Sequence, residues 1–93
     1  MKLRWSRRAE ADLFGQCERI ARDDPRPAAE LGAEVLARID ALPEFPYRGR
    51  AGRIEGTREL PLPGLPWVAV YEITGETIMV LRLLHGAQNW PEG

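Results

Sequence analysis

With 93 residues, 44% of them hydrophobic and 29% charged, the chain has the length and balance of one globular domain spanning 1–93, and it is not a disordered segment. A net charge of −1 gives no general signal for binding polyanions. One cysteine, Cys17, excludes an intrachain disulfide, and with no apolar run of about 18 residues and no apolar N-terminal segment the expected location is the cytoplasm, without membrane span or signal peptide.

Residues 2–5, KLRW, predict a short opening strand. Ser6 follows as a helix N-cap, its hydroxyl placed to accept from amides of the first turn. Ala9, Leu13, Cys17, Ile20 and Ala21 recur at spacings of three and four, which predicts a helix from Arg7 to Arg22 with one apolar face. Cys17 lies on that stripe and reads as a small buried hydrophobe rather than a nucleophile. Asp24 as N-cap and Pro25 at the first helical position start a second helix. Its apolar positions Ala28, Leu31, Val35, Ile39 and Leu42 repeat until Pro43 stops it. The short connection makes the two helices an antiparallel hairpin.

Residues 43–57, PEFPYRGRAGRIEGT, are too rich in Pro, Gly and Arg for a regular element and read as a long loop, functional or mobile. They lack the Walker lysine and the strand-to-helix glycine fingerprint, so they are no phosphate-binding P-loop. RELPL (58–62), WVAVYEI (67–73) and TIMVLRLLH (77–85) predict three strands. Pro63-Gly64 suits a type II turn and Thr74-Gly75-Glu76 a tight connection, which makes the strands antiparallel neighbours. The fold class is α+β: a short N-terminal strand and a helical hairpin packed on a C-terminal antiparallel sheet. By strict alternation Met79, Leu81, Leu83 and His85 share the face that receives the helices, whereas Ile78, Val80, Arg82 and Leu84 share the other, with Arg82 on a more open surface.

Charge is distributed unevenly. Residues 10–44 carry nine acids against four arginines, while bases gather at Lys2, Arg4, Arg7 and Arg8 and at Arg48, Arg50, Arg53 and Arg58. Such a patch attracts phosphates or an acidic partner, although scattered solvated arginines have the same composition. His85, the only histidine, needs an orienting carboxylate, a nucleophile or a second base to act in catalysis. Arg58 and Glu59 are the candidates to share its cleft. No second histidine or cysteine lies near, so no metal site is expected. Trp90 reads as an anchor for the tail rather than a platform for a base.

Taken together, WSRRAEADL (5–13), LPEFPYRGRAGRIEGTRELPLPGLPWVAVYEI (42–73) and MVLRLLHGAQNWP (79–91) resemble the ParE/RelE superfamily of toxins from type II toxin–antitoxin modules. The resemblance covers nearly the whole chain, in order. It implies the same strand, hairpin and sheet, no cofactor, and an antitoxin that wraps an extended or helical C-terminal segment around the toxin. RelE-like members cut mRNA on the ribosome with a basic set, often completed by a tyrosine, that activates the ribose 2′-OH and stabilises the phosphorane. The corresponding places here hold Glu59, Pro61, Val68 and Gln88, and the tail has Trp90 in place of a tyrosine. A variant nuclease would have to use His85, Arg82 and Arg58. ParE-like members inhibit DNA gyrase, a protein target, and need no hydrolytic centre. The residues favour that branch: a gyrase inhibitor without direct DNA binding, held in a hetero-oligomeric complex by a ParD-like antitoxin. The interface candidates are Phe14, Arg50, Arg53, Arg58, Glu59, Arg82, His85, Gln88 and Trp90.

Overall fold

The computed structural model describes residues 1–22, 25–86 and 88–91. Strand β1 (Lys2–Trp5) leads into helices α1 (Arg7–Ala21) and α2 (Pro25–Asp40), a single 3-10 turn (Leu42–Glu44), and strands β2 (Arg50–Ala51), β3 (Arg58–Pro61), β4 (Trp67–Thr74) and β5 (Thr77–His85). They form a five-stranded mixed sheet in the order β1-β5-β4-β3-β2, with β1 parallel to β5 and the other pairs antiparallel. The α+β architecture is the expected one, and β5 has the predicted bounds.

Ser6 caps α1 as its residue type demands: its Oγ accepts from the Ala9 amide at 3.0 Å and donates to the Leu81 carbonyl at 3.0 Å. The cap therefore also ties the helix start to β5. Helix α2 starts at Pro25, as predicted; the N-cap expected at Asp24 lies outside the described residues. It ends at Asp40, before Leu42, because Pro43 enters a 3-10 turn that still carries the Leu42 side chain into the core. Leu65 donates its amide to the Leu62 carbonyl at 3.0 Å around Gly64 at φ 76°, which is the hydrogen bond and the positive φ of the predicted type II turn.

The core lies between the hairpin and one sheet face. Ala9, Val35 and Ile39 from the helices meet Leu60, Trp67, Tyr71, Ile78, Val80 and Leu83. Strict alternation on β5 fails. Val70 pairs with Arg82, but the next β4 residue, Tyr71, pairs with Val80, so Leu81 is an additional residue, a β-bulge that shifts parity by one. Before the bulge the core residues are Ile78 and Val80; after it, Leu83. The expected core positions Met79 and Leu81 are only half-buried, and Arg82, expected on an open face, is 7% exposed.

The bulge lies where β1 ends. Beyond the Trp5–Val80 pair the outer edge of β5 has no strand beside it among the described residues, and its polar backbone groups need other partners. Helix α1 supplies them. The Ser6 hydroxyl takes the Leu81 carbonyl, and the Asp12 carboxylate accepts from the Leu83 amide at 2.9 Å.

The segment 43–57, expected to be one irregular loop, instead contains the end of the 3-10 turn and all of β2. Both β2 residues are exposed at the sheet edge, so the strand has no buried face and leaves no alternating pattern in the sequence. The approach to it is pinned by Tyr71, whose buried hydroxyl donates to the Pro46 carbonyl and accepts from the Gly49 amide, each at 2.8 Å. Tyr71→Phe strands that buried amide and is expected to cost about 1–3 kcal/mol in chemical denaturation. An unchanged midpoint would show that water replaces the phenol at no cost.

Candidate functional site

The sheet face away from the helices gathers the chemistry. Across three adjacent strands, Glu59 on β3, Val70 on β4 and Arg82 on β5 stand opposite one another. With strands about 4.8 Å apart, Glu59 and Arg82 branch from backbone positions roughly 10 Å from each other. Pro61, Val68 and Leu84 form the neighbouring row on the same face.

Glu59 is 1% exposed, and its burial is made tolerable by the loop before β3. Arg53 donates its backbone amide at 2.8 Å and its guanidinium Nη2 at 3.0 Å to the carboxylate, with Nε at 3.2–3.3 Å from both oxygens. Arg50 adds a weaker contact at 3.6 Å. The Arg53 side-chain bonds outweigh the opposing effect of burial and, with the Arg53 amide and the two positive charges, hold the Glu59 carboxyl below its ordinary pKa. Glu59 is thus a fixed anion in the middle of the face.

At the other side, Arg82 donates through Nε to Asp12 at 2.7 Å and through Nη2 at 3.2 Å. The tail connects the two ion pairs. Trp90 places its ring over the Arg82 guanidinium, 5.4 Å from ring centre to Cζ, and its carbonyl accepts from Arg53 Nη1 at 3.0 Å. An anchoring role for Trp90 follows directly from those two contacts.

The structure therefore brings Arg50, Arg53, Glu59, Arg82 and Trp90 to one face. It places the other candidates elsewhere. Arg58 stands opposite Tyr71 and donates to the Gly49 carbonyl at 2.8 Å and the Tyr47 carbonyl at 3.3 Å. His85 pairs with Trp67 at the end of β5, so its side chain leaves from the core side and not from the face of Arg82. Gln88 folds back on that strand end, its Oε1 accepting from the His85 amide at 3.2 Å while its own amide donates to the His85 carbonyl at 2.9 Å. Phe14, 68% exposed on α1, borders an apolar groove whose floor is made of Cys17, Ala28, Gly32 and Ala33. Cys17 is half-buried there, less enclosed than expected.

Asp12 and Tyr71 escaped the sequence reading. Asp12 meets Arg82 across 70 positions of chain, and no local pattern announces such a pair. Tyr71 carried a weak signal, a hydroxyl inside an otherwise apolar strand, which when buried requires a partner.

Residues 3–90 match the family model described as the ParE toxin of the type II toxin–antitoxin system parDE. The chain belongs to the ParE toxin family. It is 38% identical over 91 residues to the "Putative toxin Y4kP" of Sinorhizobium fredii, covering 98% of this chain and 94% of that one. It is also 35% identical over 83 residues to "Toxin RelE1" of Caulobacter vibrioides, covering 87% and 88% respectively. A solved chain of the "Chromosomal ParDE TA system from P. aeruginosa" superposes with a TM-score of 0.85 at 26% identity, over 91% of this chain and 95% of that one. The protein is thus a type II toxin of the ParE/RelE superfamily, and among its described residues no helix is long and apolar enough to cross a membrane.

Proposed function

We propose that this ParE-family toxin binds and inhibits DNA gyrase in the cytoplasm, without a hydrolytic step of its own, and that a ParD-like antitoxin neutralises it in a hetero-oligomeric complex. The observation that carries the reading is Glu59. Cleavage at a ribose 2′-OH needs a base for its proton and cations around the phosphate as charge builds. The middle of this sheet face instead holds an ionised carboxylate whose two arginines are already turned onto it, in a row with Val70 and beside Pro61 and Val68. A phosphate placed there would have to draw those two arginines away from the buried carboxylate that already holds them.

The groove beside Phe14 suits the antitoxin. Its floor of small side chains lies between two exposed apolar borders, Phe14 and Leu36, the shape that takes the apolar face of an amphipathic segment. Nanomolar binding of the product of the adjacent gene is the expected titration result, and no binding would remove the antitoxin from the proposal.

Controlled expression with parallel readouts of DNA damage response and mRNA cleavage tests the target. Gyrase inhibition predicts the first without the second. The RelE names of two Caulobacter relatives keep ribosome-dependent cutting as the second reading, and mRNA cuts would establish it. His85→Gln separates the two further. As a residue of the strand end, His85 is expected to lower the melting temperature when replaced, with toxicity falling only in step with the folded fraction. A stable, antitoxin-competent but non-toxic variant would assign the ring to proton transfer and count against gyrase.

A further inference from the structure

The chain between the 3-10 turn and β2 carries two aromatic rings that the fold leaves outside: Phe45 is 66% exposed and Tyr47 65%. The segment is nevertheless fixed from beneath. Tyr71 holds Pro46 and Gly49 through its hydroxyl, and Gly49 is packed so closely that a Cβ there would lie 2.7 Å from that oxygen. Arg58 grips the Tyr47 and Gly49 carbonyls and lays its guanidinium over the Tyr47 ring, 4.8 Å from its centre. Tyr71 and Arg58 take no part in the charged face described above. Their contacts hold the backbone from Pro46 to Gly49 and the Tyr47 ring in one arrangement, with the exposed Phe45 directly before it.

Exposed aromatic side chains on a pre-ordered frame beside arginine have the make-up of an interface hot spot, and little ordering remains to be done on binding. We propose that this loop is the surface with which the toxin grips its target, and that its occupant is an acidic segment of a protein, with apolar side chains against Phe45 and Tyr47 and a carboxylate on Arg48. The proposal rests on the reading of a protein target given above. Charge selects the occupant. Arg48 lines the same open recess as the two rings, is exposed, and makes no side-chain hydrogen bond or ion pair among the described residues. Glu44 also lines the recess, so the occupant's carboxylate belongs beside Arg48 and away from Glu44.

Single-stranded RNA fits less well. A nucleic-acid strand needs a track of available cations and open ring faces. Here Arg58 is committed to two carbonyls and one face of Tyr47, and Arg53 and Arg50 are turned onto Glu59, so the loop offers a single carboxylate a partner in Arg48 but offers a phosphate chain no track. The loop also shares no residue with the groove beside Phe14, so contacts to target and antitoxin are separable.

The test uses the parent toxin, a Phe45→Ser/Tyr47→Ser double variant, Arg48→Glu and Arg48→Lys. Growth inhibition on controlled expression, affinity for purified DNA gyrase, affinity for the antitoxin, melting temperature, self-association and binding of a fluorescent RNA oligonucleotide are measured. The double variant and Arg48→Glu are expected to lose growth inhibition and to bind gyrase about thirty-fold or more weakly, the scale of a hot-spot residue. Antitoxin affinity and melting temperature should stay at parent values, and Arg48→Lys should retain toxicity. Undiminished toxicity of the double variant would overturn the proposal whatever the target. A parallel loss of antitoxin affinity would overturn it by giving the loop to the antitoxin. Parent RNA binding or self-association that disappears in the double variant would overturn it by replacing the acidic protein with RNA or a second copy. A parent that leaves gyrase untouched, with a folded, antitoxin-competent double variant that is no longer toxic, would remove the gyrase reading and leave the loop as the target surface.

Discussion

Leu84→Ala is expected to destabilise the toxin by about 2–5 kcal/mol, and Leu81→Ala by distinctly less. Strict alternation along β5 gives the opposite order, since it puts Leu81 against the helices and Leu84 on the far face. The bulge decides the matter. Leu81 is the additional residue between the Val70–Arg82 and Tyr71–Val80 pairs and stays half-buried, so truncating it removes little enclosed surface. Leu84 does lie on the far face, opposite Val68, yet is 1% exposed. That face holds a second, smaller apolar layer with Val70, which is 0% exposed, and deletion there leaves a cavity the packed neighbours cannot fill. Urea unfolding of the two variants beside the parent provides the measurement. Equal midpoints, or a larger loss for Leu81→Ala, would place the bulge elsewhere on the strand.

The same case marks the boundary of what the sequence discloses. Helices α1 and α2 and strands β4 and β5 were legible because each buries one side and so writes its period into the chain. Ser6 and Pro63-Gly64 were legible because a cap and a turn each demand a particular chemistry. A bulge writes nothing: Leu81 is as apolar as its neighbours, and the shift appears only where β1 stops at Trp5 and α1 takes over the edge of β5. β2 was hidden for a related reason, since a two-residue edge strand exposed on both sides follows no hydrophobic rule. In the candidate site, the arginines around Glu59 were visible as a cluster within nine positions, Arg50 to Arg58. What the cluster could not disclose is that Arg50 and Arg53 turn onto Glu59 while Arg58 serves the other side of the sheet. That sorting is decided by strand parity on β3. Asp12 and Arg82 had no such neighbourhood, and only the packing of α1 along β5 unites them.

Arg53→Ala is expected to move the acid unfolding of the toxin to higher pH and to cost about 1–3 kcal/mol near neutrality. Removing one partner of a fully buried ion pair costs about 3–5 kcal/mol. The smaller figure applies because Arg53 is half exposed and its charge is already screened by water. The pH effect follows from Glu59. Its carboxyl is held below the ordinary value, first by the Arg53 side-chain bonds and against the effect of burial. A group with a depressed folded-state pKa contributes stability that is fully present above its unfolded-state pKa and is lost as pH falls through the folded one. Without the Arg53 side chain, burial acts against only the amide at position 53 and the weaker, more exposed Arg50 contact, so the folded pKa rises and the loss begins earlier on acidification. Glu59→Gln removes the titrating group and should flatten the acid limb instead. Arg50→Ala, which deletes a 3.6 Å contact from a side chain 63% exposed, should leave the limb nearly where it is. Urea midpoints of the four proteins across about pH 3 to 7 decide the point. An acid limb that stays in place in Arg53→Ala, or moves to lower pH, would show that burial and not Arg53 governs the charge of Glu59, and would take away the fixed anion on which the gyrase reading leans.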